Sequence, residues 1–170
     1  GAYTLTLNAM QQKVVDAVIE NARTEKKPCL IHGVTGSGKT EVYMELIAEA
    51  AGRGKQSIVL IPEIALTYQT VMRFYHRFGD RVSIMNSKLS PGERSDQFER
   101  AKKGEIDVMI GPRSALFTPF SNLGYIIIDE EHEGTYKSET IPRYHARETA
   151  IERARMSGAT VILGSATPSI

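Results

Sequence analysis

The sequence predicts an α/β domain: a mostly parallel β-sheet with helices on both faces. Two observations carry this. Short β-branched runs recur along the chain, each followed by a helical pattern, and that alternation is the signature of a parallel sheet. The runs are also continuously apolar rather than alternating, as strands buried on both faces must be.

Each element can be justified in order. Residues 8–22, NAMQQKVVDAVIENA, place Val14, Val15, Val18 and Ile19 near helical spacing. CLIH (29–32) reads as a buried strand entering a glycine-rich turn, and KTEVYMELIAEAAGRG (39–54) as a helix with a glycine stop. SIVLI (57–61) is a strand terminated by Pro62, followed by a helical pattern over 64–78 that Gly79 closes. RVSIM (81–85) is the next strand. The segment 90–104 opens with a Ser-Pro start signal and ends at Gly104. IDVMI (106–110), YIII (125–128) and TVIL (160–163) complete the strands, with a helix over 144–158 before the last. No internal repeat or low-complexity linker interrupts them.

Composition narrows the function classes. With 170 residues, 41% hydrophobic and 24% charged, the chain suits one well-buried core. Its 21 Lys+Arg against 20 Asp+Glu leave a net charge of +1, so nucleic-acid contacts would rest on local patches. Cys29 is the only cysteine, which excludes an internal disulfide and a Cys-based zinc site. No apolar run approaches the ~18 residues of a membrane span, and the start, GAYTLTLNAM, lacks a signal-peptide pattern. A cytoplasmic protein without membrane contact is expected. The first residue is not Met and the chain stops just past a strand at GSATPSI, so a piece of a longer protein is expected.

GVTGSGKT (33–40) matches G-x-x-x-x-G-K-[ST] between a predicted strand and a predicted helix. Gly33, Gly36 and Gly38 let the backbone curl so that successive N–H groups, with those of Val34, Thr35 and Ser37, face one anion. The helix beginning near Lys39 adds its positive end. Lys39 would reach the terminal phosphates, and the Thr40 hydroxyl would ligate Mg²⁺. A nucleoside triphosphate is the implied ligand.

YIIIDEEH (125–132) drives an apolar strand into four ionisable residues. Standing alone, such a cluster reads as a solvated acidic turn. About 90 residues after the phosphate loop it reads as the second half of an NTPase site, on a strand next to the phosphate-loop strand. Asp129 would hold Mg²⁺, and Glu130 would orient and deprotonate the attacking water. Glu131 is either a solvated third carboxylate or part of the site, and His132 is a relay candidate. In LGSATPS (163–169), Ser165 and Thr167 would hydrogen-bond this box if the two strands pair. The other reading is a Ser/Thr turn closed by Pro168.

Taken together these segments resemble lobe one of the superfamily 2 DEAH-like helicases, a single RecA-like P-loop NTPase domain. GVTGSGKT is similar to motif I, LIPEIALT (60–67) to Ia, IGPRSALF (110–117) to Ib, DEEH to II and GSATPS to III. Within that superfamily, DEEH joined to TYK and to RYHAR resembles the replication-restart helicases, over nearly the whole chain from Leu7 onwards. The resemblance implies ATP as the nucleotide and Gln11 as an adenine reader. It implies an enzyme that moves 3′ to 5′ on DNA, binds forks, D-loops and single strands, and works with primosome and single-strand-binding proteins. It further implies that residues 1–170 are the ATP-binding lobe alone. A second lobe with the arginine finger, a zinc-binding module and an amino-terminal DNA-binding domain would lie elsewhere in the parent. Nucleotide binding with poor hydrolysis is then expected of this chain.

The DNA candidates lie at predicted strand C-terminal ends, where parallel sheets bind ligands. They are Pro62, Glu63 and Thr67, then Gly111, Arg113 and Ser114, although Arg113 reads equally as a surface cation. The resemblance places an aromatic-rich DNA-coupling loop at GTYKSETIPRYHAR (134–147), with Tyr136, Tyr144 and His145 as ring candidates. Arg143 and Arg147 either add positive charge there or pair with Glu139 and Glu148. Two alternatives stay open: another motor of the superfamily, such as an RNA helicase or DNA translocase, and a nucleotide switch that never translocates.

Overall fold

The structure is a computed structural model that describes residues 7–31, 37–130 and 143–165. Six strands form one sheet: β1 (Cys29–Ile31), β2 (Gln56–Leu60), β3 (Val82–Ile84), β4 (Val108–Gly111), β5 (Leu123–Asp129) and β6 (Thr160–Gly164). Their order is β1-β6-β5-β2-β4-β3, and every pairing is parallel. Five helices accompany them: α1 (Ala9–Arg23), α2 (Ser37–Gly52), α3 (Tyr68–Phe78), α4 (Pro91–Lys102) and α5 (Arg143–Ser157). The fold is the RecA-like α/β domain that the sequence predicts.

Strand alternation divides the core into two layers. Val59, Tyr125, Ile127 and Ile162 pack with α1, α2 and α3 through Val15, Val18, Val42, Leu46, Ile47 and Phe74. Ile58, Leu60, Ile126, Ile128 and Val161 pack on the other face with Ala101 of α4 and with Ala150 and Ala154 of α5. The small residues of α5 bring its backbone close to β5 and β6, which is how that helix comes to lie beside the acidic box.

Two expectations are corrected. The acidic-box strand is not next to the phosphate-loop strand: β6 lies between β1 and β5. The crossover from β1 through α2 leads to β2 and leaves the intervening positions for the last two strands. The helix expected over 64–78 is split into a 3-10 turn, Glu63–Ala65, and α3. Leu66 sits at ψ 70, outside the helical region, and the Thr67 side chain caps α3 by accepting from the Thr70 N–H. Further 3-10 turns are Gly79–Arg81, before β3, and Arg113–Phe117, after β4. The start read at Ser90 is a full capping box with Glu93, and Pro91 sits in the first turn of α4.

Candidate functional site

β5 determines where the two acidic side chains go. Continuing its alternation, Asp129 falls on the α2 side and Glu130 on the α5 side. Asp129 Oδ1 lies 3.6 Å from Lys39 Nζ, an ion pair rather than a close hydrogen bond. Glu130 instead meets Arg147. Arg147 Nε donates to Glu130 Oε1 at 2.5 Å, and Nη2 donates to Oε2. Arg147 therefore pairs with the acidic box, not with Glu148; Glu139 lies outside the described residues. Sequence spacing carries no signal for this pair, because 17 residues separate the partners.

β6 links the halves of the site. Gly164 stands in register with both Ile31 of β1 and Asp129 of β5. The Glu130 N–H donates to the Gly164 carbonyl at 2.6 Å, and the Ser165 N–H donates to the Ile31 carbonyl at 3.0 Å. Ser165 thus sits between the strand that enters the phosphate loop and the strand that carries the acids. The pairing of β5 with β6 on which the Ser165 and Thr167 reading depends is present; Thr167 lies outside the described residues.

Of the loop itself, Ser37, Gly38, Lys39 and Thr40 are the first four residues of α2. Gly33, Val34, Thr35 and Gly36 lie outside the described residues, as do His132 and Tyr136. Lys39 is 1% exposed and sits in the first turn of a 16-residue helix that has no acidic residue in that turn. A buried ammonium at the positive end of a helix is an arrangement that favours an anion. The donors therefore fit a phosphate group. The Thr40 hydroxyl with the Asp129 carboxylate fits Mg²⁺, which takes few protein oxygens and keeps several waters. Among the described residues, no group of three or more His, Cys, Asp or Glu gathers as a metal site.

Gln11 is buried beside the same helix. Its Nε2 donates to the Gly38 carbonyl at 3.1 Å and to Glu41 Oε2 at 2.8 Å. Its Oε1 accepts from the Asn8 N–H at 2.9 Å, completing a capping box at the start of α1. The N-x-x-Q spacing of residues 8–11 signals that box, which the sequence reading passed over. Glu41 was missed as well, although it directly follows Thr40 and also lies 3.8 Å from Arg73.

The DNA candidates occupy the C-terminal edge of β2 and β4 but already hold structural contacts. Glu63 accepts from the Ser87 N–H at 2.5 Å and from the Ser87 hydroxyl at 2.9 Å. Pro62 is buried, and Thr67 is the α3 cap. Gly111 is needed for packing, since a Cβ there would come within 2.8 Å of Met85. Arg113 and Ser114 are half-buried in the 3-10 turn after β4 and line a hollow against α5 with His145. Arg143 and Tyr144 begin α5. Among the described residues, no helix is long and apolar enough to cross a membrane.

A parallel sheet carrying a phosphate-loop lysine, an acidic strand end and Ser165 between them defines a P-loop NTPase domain of the helicase type. The chain belongs to the family described as type III restriction enzyme, res subunit, which matches residues 4–170. Among individual proteins it is similar to Replication restart protein PriA. It is 54% identical to the Bacillus subtilis protein over 146 residues, covering 86% of this chain and 18% of that one. It is 48% identical to the Chlamydia trachomatis protein over 167 residues, covering 97% and 22%. The Haemophilus influenzae protein is 51% identical over 141 residues, covering 83% and 19%. The chain thus spans about a fifth of the length of these curated relatives.

Solved structures agree. RecG bound to a three-way DNA junction matches with a TM-score of 0.72 at 25% identity, covering 98% of this chain and 22% of RecG. The DNA-bound DUF1998 helicase MrfA matches with a TM-score of 0.68 at 19% identity, covering 96% and 23%, a likeness of fold alone. The resemblance to the first lobe of a replication-restart helicase, read from the motifs, is borne out.

Proposed function

We propose that this chain is the ATP-binding lobe of an ATP-dependent 3′ to 5′ DNA helicase that acts at stalled forks and D-loops and restarts replication by primosome assembly. The observation that carries the reading is the convergence of three elements at one sheet edge. Lys39 and Asp129 lie 3.6 Å apart, Glu130 follows, and the β6 end bonds to both neighbouring strand ends. In this reading residues 33–40 cradle the phosphates, Lys39 neutralises their terminal charge, and Thr40 and Asp129 hold Mg²⁺ directly or through water. Gln11, kept beside the loop by Gly38 and Glu41, reads the adenine edge. Glu130 takes the proton of the attacking water, while His132, Ser165 and Thr167 relay the state of the acidic box. When bound, Mg²⁺ supplies charge neutralisation at the leaving oxygen.

DNA would cross the C-terminal edge of β2 and β4, past Pro62, Glu63, Thr67, Gly111, Arg113 and Ser114. Residues 134–147, with Tyr136, Arg143 and Tyr144, would lie beside it. A motor must tolerate any sequence, so phosphate contacts and base stacking serve it best. Tyr68 and Phe117, 79% and 68% exposed just beyond those strands, offer ring faces for stacking. A second lobe would supply an arginine worth ~10³–10⁵ in rate, so this chain alone would bind nucleotide and hydrolyse it poorly. A zinc-binding module, an amino-terminal DNA-binding domain and contacts with primosome and single-strand-binding proteins would belong to the parent.

The test is Glu130→Gln in the full-length protein. ATP binding should persist while DNA-stimulated phosphate release falls by ~10²–10⁴, the share a positioned base supplies. Unaltered turnover would sink the motor reading and leave a nucleotide switch.

A further inference from the structure

The Glu130–Arg147 pair belongs to no part of the mechanism above and works against it. A general base must offer a carboxylate lone pair to water. Here both Glu130 oxygens accept from one guanidinium in a two-pronged fork. Two of the carboxylate's lone-pair sites are held by a cation instead.

The two partners differ in freedom. The Glu130 side chain is 5% exposed and its backbone is tied to Gly164, whereas the Arg147 side chain is 37% exposed. If the pair opens, Arg147 is the member that can leave for solvent. The helix beneath it need not move: α5 is packed on the sheet through Ala146, Ala150 and Ala154. It is also tethered by Arg153, whose guanidinium donates to the Leu116 and Thr118 carbonyls.

What would draw Arg147 away is legible next to it. His145 and Ala146 line a hollow of about 280 Å³ with Arg113 and Ser114 of the turn after β4. Leu116, Phe117 and Ala146 give that hollow mostly apolar walls, with Arg113, Ser114 and His145 at its border, and the first turn of α5 holds no acidic residue. Arg147 directly follows Ala146 of that lining in the chain, and guanidinium groups bind phosphate in the same two-pronged way as carboxylate.

We propose that Arg147 is a latch on Glu130. It withholds that carboxylate from water while no nucleic acid is bound, and it surrenders the carboxylate when a nucleic-acid phosphate takes its place. The proposal rests on the reading of Glu130 as the base, and it makes Arg147 a positioning residue that couples strand binding to hydrolysis. No covalent step is added; one acceptor replaces another on the guanidinium.

The test compares wild type, Arg147→Ala, Arg147→Lys and Glu130→Gln in the full-length protein, with and without a single-stranded oligonucleotide. Arg147→Ala should raise DNA-free kcat by about tenfold, a part of the ~10²–10⁴ a positioned base supplies, while KM for ATP stays fixed. The stimulation by DNA should shrink by the same factor. Arg147→Lys keeps the charge without the fork and should fall between; it carries the comparison if the alanine variant does not fold. A DNA-free kcat that is unchanged or lower, with stimulation intact, would overturn the latch, provided Glu130→Gln is inactive. Full activity in Glu130→Gln would instead overturn the reading of the base, and the latch with it.

Discussion

A methyl group at Gly164 would sit 1.7 Å from the Tyr43 hydroxyl oxygen and 2.8 Å from the ring carbon that bears it. Tyr43 lies on α2 one turn past Lys39 and is fully buried. The glycine that ends β6 is therefore fixed by packing as well as by its strand pairing. Gly164→Ala should destabilise the protein by about 1–3 kcal/mol, the usual cost of overpacking. In a Tyr43→Phe background the cost should shrink without vanishing, because the ring carbon remains. A double-mutant cycle by denaturant unfolding checks this, and equal costs in both backgrounds would show that the contact is not the cause. At this scale the sequence was legible where chemistry imposes spacing: Lys39, Thr40, Asp129 and Glu130 stand out from their neighbours. Tyr43 did not stand out, and Arg147 did so only as a local positive charge, without its partner Glu130. Their roles depend on which helix packs beside which strand, and no local pattern encodes that.

Among the elements, α2 is tied to the sheet at both ends. Near its start lies the Lys39–Asp129 pair, and near its end the Tyr125 hydroxyl of β5 donates to Glu49 at 2.9 Å. Burial, with the hydrogen bond and the charge of Glu49 adding to it, pushes the Tyr125 hydroxyl above its ordinary value. The folded value lies above the unfolded one of about 10. The stability this contributes is therefore complete below about pH 10 and is lost as the pH rises beyond it, where only the unfolded chain ionises. The melting temperature should fall more steeply above about pH 10 in wild type than in Tyr125→Phe. Parallel curves would exclude Tyr125 as the source. Helix and strand identities were readable from periodicity, Gly stops and the Ser90 cap. The break at Leu66 was not, because 64–78 keeps helical periodicity through a segment whose chain turns for a side-chain cap instead. The insertion of β6 between β1 and β5 was not readable either, since strand order is a property of crossovers, which leave no trace in residue spacing.

For the whole molecule, near-neutral charge agrees with the proposal that the lobe meets its ligands through local patches at one sheet edge. Near the strand C-terminal ends lie the start of α2, Asp129, Glu130, Ser165 and the exposed rings of Tyr68 and Phe117. The chain spans about a fifth of the length of its curated relatives. The most direct test is calorimetric titration of this chain with Mg²⁺–ATP and Mg²⁺–ADP. Lys39→Ala is the control, and phosphate release is followed in the same samples with and without forked DNA. The account predicts binding that disappears with Lys39 and negligible phosphate release under every condition. Binding indifferent to Lys39→Ala, or brisk turnover by this chain alone, would contradict it.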